Sequence, residues 1–94
     1  MTQDEALQIV YRALERLNEE LDTPVDITPH TQLFGADAVI DSLSLVSVIV
    51  DVEAEASEAI GQPVSLTDDR AINQPVSPFR DPQTLAAYIV SLQG

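Results

Sequence analysis

The chain has no cysteine, which excludes a disulfide framework and a thiolate metal site. Positive charge is scarce. Four Lys and Arg stand against 16 Asp and Glu, a net charge of -12, so nucleic acid and anionic membranes repel the chain and basic protein surfaces attract it. Long hydrophobic runs are also missing, and none approaches the roughly 18 residues of a membrane span. The opening residues, MTQDEALQ, lack the basic and apolar pattern of a signal peptide. A cytoplasmic protein that neither enters membranes nor binds nucleic acid is expected.

Apolar residues are plentiful, at 45% of 94 residues, enough for one small core and one domain over residues 1–94. Residues 2–21 read as a helix. Thr2 and Glu5 fit a capping box, and Leu7, Val10, Leu14, Leu17 and Leu21 recur at steps of three and four along one face. Residues 22–40 hold Pro24 and Pro29 with Thr28 and Thr31, the composition of a long loop. Leu33 and Phe34 are expected to pin that loop to the core, with Gly35 allowing a sharp turn after them.

Residues 42–60 are rich in β-branched side chains, which favour a strand. Periodicity decides for a helix: Ser44, Ser47, Asp51, Glu55 and Glu58 fall at helical spacing, and Gly61 stands where a C-cap belongs. The apolar positions form two stripes. Leu45, Val48, Ile49, Val52 and Ala56 suit a core, whereas Leu43, Val46, Val50 and Ala54 lie more than a quarter-turn away and suit either cover by other elements or contact with partners. The segment 67–72 can form a short helix capped by Thr67. Asp81 and Pro82 open a final helix with Leu85, Ile89 and Leu92 on one face. Helix, long loop, helix, short helix, helix: the expected fold is an all-α, small four-helix bundle.

Ser42 stands just before the apolar run, where a helix N-cap is expected. As a nucleophile it would need a base, and the lone histidine, His30, comes without a glycine-flanked elbow around IDSLS. A catalytic triad is therefore not expected, and the chain reads as a non-enzyme.

The tripeptide Asp41-Ser42-Leu43 opens the second helix of a short acidic chain, after a capped first helix and a long loop with Leu33 and Gly35, and before a last helix opened by FRDPQTLAAYI. In this it resembles the acyl carrier proteins, specifically a stand-alone, specialised bacterial-type carrier. The resemblance implies a 4′-phosphopantetheine arm on Ser42, added from coenzyme A by a phosphopantetheinyl transferase. Asp41 would assist that metal-dependent transfer and Leu43 would flank the site. The arm ends in a thiol that holds an acyl group as a thioester, a bond this cysteine-free chain cannot make itself. A phosphate on Ser42 would lie beside the free N–H groups at a helix start.

The chain would then present its cargo, as a monomer, to acyl-activating or acyl-transferring enzymes of a fatty-acid, polyketide or other acyl pathway. Their basic surfaces would meet Leu43, Val46, Val50, Asp51, Glu53 and Glu55. Two features depart from the family's pattern. Ser44 and Ser47 stand where acidic residues are usual, and the stretch Thr67 to Phe79 is long and holds Pro75 and Pro78. A peptidyl, aminoacyl or D-alanyl carrier with the same arm is an alternative reading, and an unmodified acidic interaction module is a more distant one. Whatever the cargo, self-repulsion among the acids should weaken the fold at low ionic strength. Added salt should therefore raise Tm near neutral pH, and a flat or falling response in thermal melts would show the charges already compensated.

Overall fold

The computed structural model describes residues 1–34, 38–66 and 78–92, with the backbone alone at Ser42. These residues form three helices and no strand: α1 (Gln3–Glu20), α2 (Ser42–Ile60) and α3 (Pro82–Leu92). The architecture is all-helical, with α1 lying against both α2 and α3. The short helix expected over 67–72 and the turn at Gly35 lie outside the described residues, as does most of the stretch Thr67 to Phe79. Among the described residues no helix is long and apolar enough to cross a membrane.

The capping box forms at the start of α1. Glu5 N–H donates to Thr2 Oγ1 at 3.1 Å and Thr2 N–H donates to Glu5 Oε1 at 3.0 Å. The buried face of α1 is wider than one stripe. Val10, Leu14 and Leu17 are buried as expected, but Ala6, Ile9 and Ala13 join them, while Leu7 and Leu21 are only half-buried. A helix that packs on two neighbours needs two adjoining apolar stripes, and the alanines let those neighbours approach closely.

Past α1 the chain is turned by the Asn18 side chain. Its amide donates to the Val25 carbonyl and accepts from the Val25 N–H, both at 3.0 Å. The loop is then strapped to the start of α3. Leu33 N–H donates to the Arg80 carbonyl at 2.8 Å, and Gln83 N–H donates to the Pro29 carbonyl at 3.1 Å. Thr31 Oγ1 donates to the Asp26 carbonyl at 2.8 Å and accepts from Thr28 N–H. Leu33 is buried, but Phe34 is 52% exposed, which corrects the expectation that both pin the loop. Side chains alternate sides in extended backbone; Thr31 and Leu33 turn inward and Phe34 turns out.

Helix α2 buries Leu45, Val48, Ile49, Val52 and Ala56. It ends at Gly61, whose φ of 81° is left-handed and whose N–H donates to the Ser57 carbonyl at 2.9 Å, a conformation that favours glycine. Helix α3 starts at Asp81, which is 2% exposed and accepts from Thr84 N–H at 2.7 Å, with Pro82 in the first helical position. Leu85, Ala86 and Ile89 are buried, and Leu92 packs at the edge of the core.

The two stripes of α2 differ sharply: Ile49 is 6% exposed, Val46 55% and Val50 58%. Truncating a packed large aliphatic costs about 2–5 kcal/mol, and truncating an exposed one well under about 1 kcal/mol. Ile49→Ala should therefore lower stability in chemical denaturation while Val46→Ala and Val50→Ala leave it nearly intact. Equal losses in all three would contradict the packing.

Candidate functional site at the start of helix α2

The segment Asp41-Ser42-Leu43 is held from both sides. Upstream, Ile40 is buried and Val39 N–H donates to the Gln32 carbonyl at 2.9 Å. Downstream, Leu45 enters the core at 7% exposed and its N–H donates to the Asp41 carbonyl at 3.0 Å. The N-cap is Asp41, not Ser42. Its backbone is extended (φ -82°, ψ 173°) and its Oδ1 accepts from Ser44 N–H at 2.7 Å; Ser42 is the first helical residue. The sequence expectation is corrected by one position. A carboxylate accepts a stronger, charge-assisted bond than a hydroxyl and also meets the positive end of the helix dipole. The bond from the Ser44 N–H, aided by the Ser44 side chain, holds the Asp41 carboxyl below its ordinary value.

The Ser44 N–H, one of the donors that a phosphate on Ser42 was expected to use, already serves Asp41. The helix start carries one negative charge of its own.

Leu43 is 79% exposed, and Val46 and Val50 follow on the same side of α2, with Ala54 exposed one turn further. Val39 and Phe34, on the loop before α2, are exposed as well; an apolar residue in a loop carries no periodicity to assign it a side.

The acidic residues of α2 divide. Glu53 and Glu58 stand outside the arginine pairs, with Glu58 exposed and Glu53 half-exposed. Glu55 is bound by two arginines of α1: Arg12 Nη2 donates to its Oε2 at 2.7 Å, Arg12 Nε at 2.9 Å, and Arg16 Nη2 donates to Oε1. Arg16 Nη1 also lies 3.7 Å from Asp51 Oδ2. Partial burial raises the Glu55 carboxyl, but the bonds from Arg12 and Arg16 outweigh it and the net shift is downward. Sequence reasoning missed this cluster. Its signal was there: Arg12 and Arg16 are four apart on one helix, and Asp51 and Glu55 four apart on another.

His30 sits exposed in the turn closed by Thr28 and Thr31. No group of acidic or histidine side chains that could hold a metal ion occurs among the described residues. An open groove lined by Ile9, Arg12, Glu55, Glu58 and Ala59 runs between α1 and α2, and Ala59 is about 25 Å along the helix from Ser42. The chain matches no protein-family model, no curated protein and no solved structure.

Because the folded-state value of Glu55 is depressed, the stability it contributes is fully present above the ordinary carboxylate range near pH 4 and is lost as pH falls through the lower folded value. The Tm difference between wild type and Glu55→Gln should be largest near neutral pH and close in acid. A difference that stays constant with pH would show that the charge of Glu55 contributes nothing.

Proposed function

We propose that the protein is an acyl carrier, with Ser42 as the attachment point of a 4′-phosphopantetheine arm. The observation that carries this reading is the placement of Ser42. It opens α2 between an exposed capping carboxylate, Asp41, and an exposed leucine, Leu43. A flexible arm at such a position is reachable by enzymes, and the buried Ile40 and Leu45 on either side keep its base fixed. The arm's terminal thiol supplies thioester chemistry that a chain without cysteine lacks. In this reading the segment 67–72 completes a four-helix carrier bundle, and the protein works as a cytoplasmic monomer.

In the loading reaction the Ser42 hydroxyl oxygen bonds to the β-phosphorus of coenzyme A. The bond from that phosphorus to the bridging oxygen breaks, and 3′,5′-ADP leaves with the electron pair. The hydroxyl proton passes to a base of the transferase. Asp41 remains engaged as the cap of α2 and holds the serine at the end of a rigid element. The loaded chain is then handled through its exposed surface: Leu43, Val46 and Val50 give partners a small apolar centre, and the overall charge of -12 speeds encounter with basic enzymes.

The test is incubation of the apo chain with coenzyme A and a broad-specificity phosphopantetheinyl transferase, followed by intact mass. Wild type should gain one phosphopantetheine, and Ser42→Ala should gain none while staying helical by circular dichroism. A wild-type chain that never gains the arm, or an alanine variant that does, overturns the reading. The mass of the protein purified with its native cargo then separates acyl from aminoacyl loading.

A further inference from the structure

We infer that Arg12 and Arg16 mask the acidic side of α2, so that an enzyme docking beside Ser42 meets an apolar strip rather than an acidic face; this rests on the carrier reading above. All four basic residues of the chain are arginines. Two of them stand one turn apart on α1 and face Asp51 and Glu55, one turn apart on α2. Glu55 is bound at both carboxylate oxygens. Asp41 is engaged in capping. Between Ser42 and Val50 there is no Asp or Glu at all.

What α2 turns outward over its first turns is therefore uncharged: Leu43, Val46 and Val50, a strip about 10 Å long, with Ser47 exposed beside it. Glu53, three residues past Val50 and outside the arginine pairs, is the acid at its far end. The complementary occupant is an enzyme surface with an apolar centre and a cation at one edge for Glu53. A partner cation aimed at Glu55 would have to displace two guanidinium groups already in place, an exchange with little net gain. A second copy of this chain is a poor occupant, because two chains of charge -12 repel each other.

The experiment measures KM and kcat for transfer of the arm to the apo chain, by the same transferase, from low to high NaCl. Val46→Ser and Val50→Ser should raise KM several-fold with kcat little changed. Glu55→Gln and Asp51→Asn should leave KM near the wild-type value. The double variant Arg12→Gln/Arg16→Gln exposes both carboxylates; its KM should fall at low salt and rise more steeply with salt than that of wild type. Circular dichroism establishes that each variant is helical, and if the double variant is not, Glu55→Gln and Asp51→Asn carry the decision. Wild type that accepts the arm while those two variants raise KM as much as Val50→Ser overturns the mask and leaves the carrier reading intact. So does a folded arginine variant with unchanged KM and salt response. A wild-type chain that never accepts the arm overturns both. A reversible dimer in sedimentation that Val50→Ser abolishes would assign the strip to a second copy and overturn the proposed occupant.

Discussion

The burial of Ala6, Ile9, Val10, Ala13, Leu14 and Leu17 along α1 is the constraint from which the placement of the other elements follows. These six side chains form the apolar face of α1, opposite an exposed charged one, and the two flanking helices cover it. Burial of an aliphatic side chain stabilises by about 1.5–3 kcal/mol, so no alternative seat for α2 or α3 that left this surface wet would compete. The ion pairs between α1 and α2 add direction. They sit at the rim of the contact, where exposed pairs are worth about 0–1 kcal/mol each, too little to hold the helices together but enough to favour one angular setting of α2 over others. That setting decides which side chains of α2 face outward.

The loop between α1 and α2 transmits the position of one helix to the start of another. Through Leu33 and Pro29 it is bonded to Arg80 and Gln83 at the head of α3, and through Gln32 it is bonded to Val39, just before α2. The loop is long, yet its backbone polar groups find partners at both ends, so it behaves as a strap. The start of α2 is thereby referenced to α3 as well as to α1.

Local signals were legible in the sequence. The capping box at Thr2 and Glu5, the glycine at the end of α2 and the Asp81-Pro82 opening of α3 each depend on residues within a turn of one another, and each is found as expected. The two stripes of α2 were legible because 3.6-residue periodicity separates them geometrically. The choice between Asp41 and Ser42 as cap was not, since both are good caps and they are adjacent. Phe34 was unreadable for want of a period. The arginine cluster was only half legible: the four-residue spacings of Arg12 and Arg16 and of Asp51 and Glu55 are in the sequence, but that the two pairs face each other depends on α1 and α2 lying side by side. It also qualifies what a net charge says: an average of -12 conceals a surface on which some carboxylates are already neutralised.

The amide of Asn18 has a consequence for the protein's chemical ageing. It works as a detached peptide group, donating to one polar atom of Val25 and accepting from the other, and no charged side chain can do both. Slow hydrolysis of that amide to a carboxylate, a single-atom change that leaves the side chain's shape almost untouched, would set two acceptors against each other at the Val25 carbonyl. The junction lies at the α1 end of the loop, so damage there would loosen that end first, while the bonds of Pro29 and Leu33 to the head of α3 stay in place. An old molecule would keep its helical content while the start of its first loop came away from the end of α1.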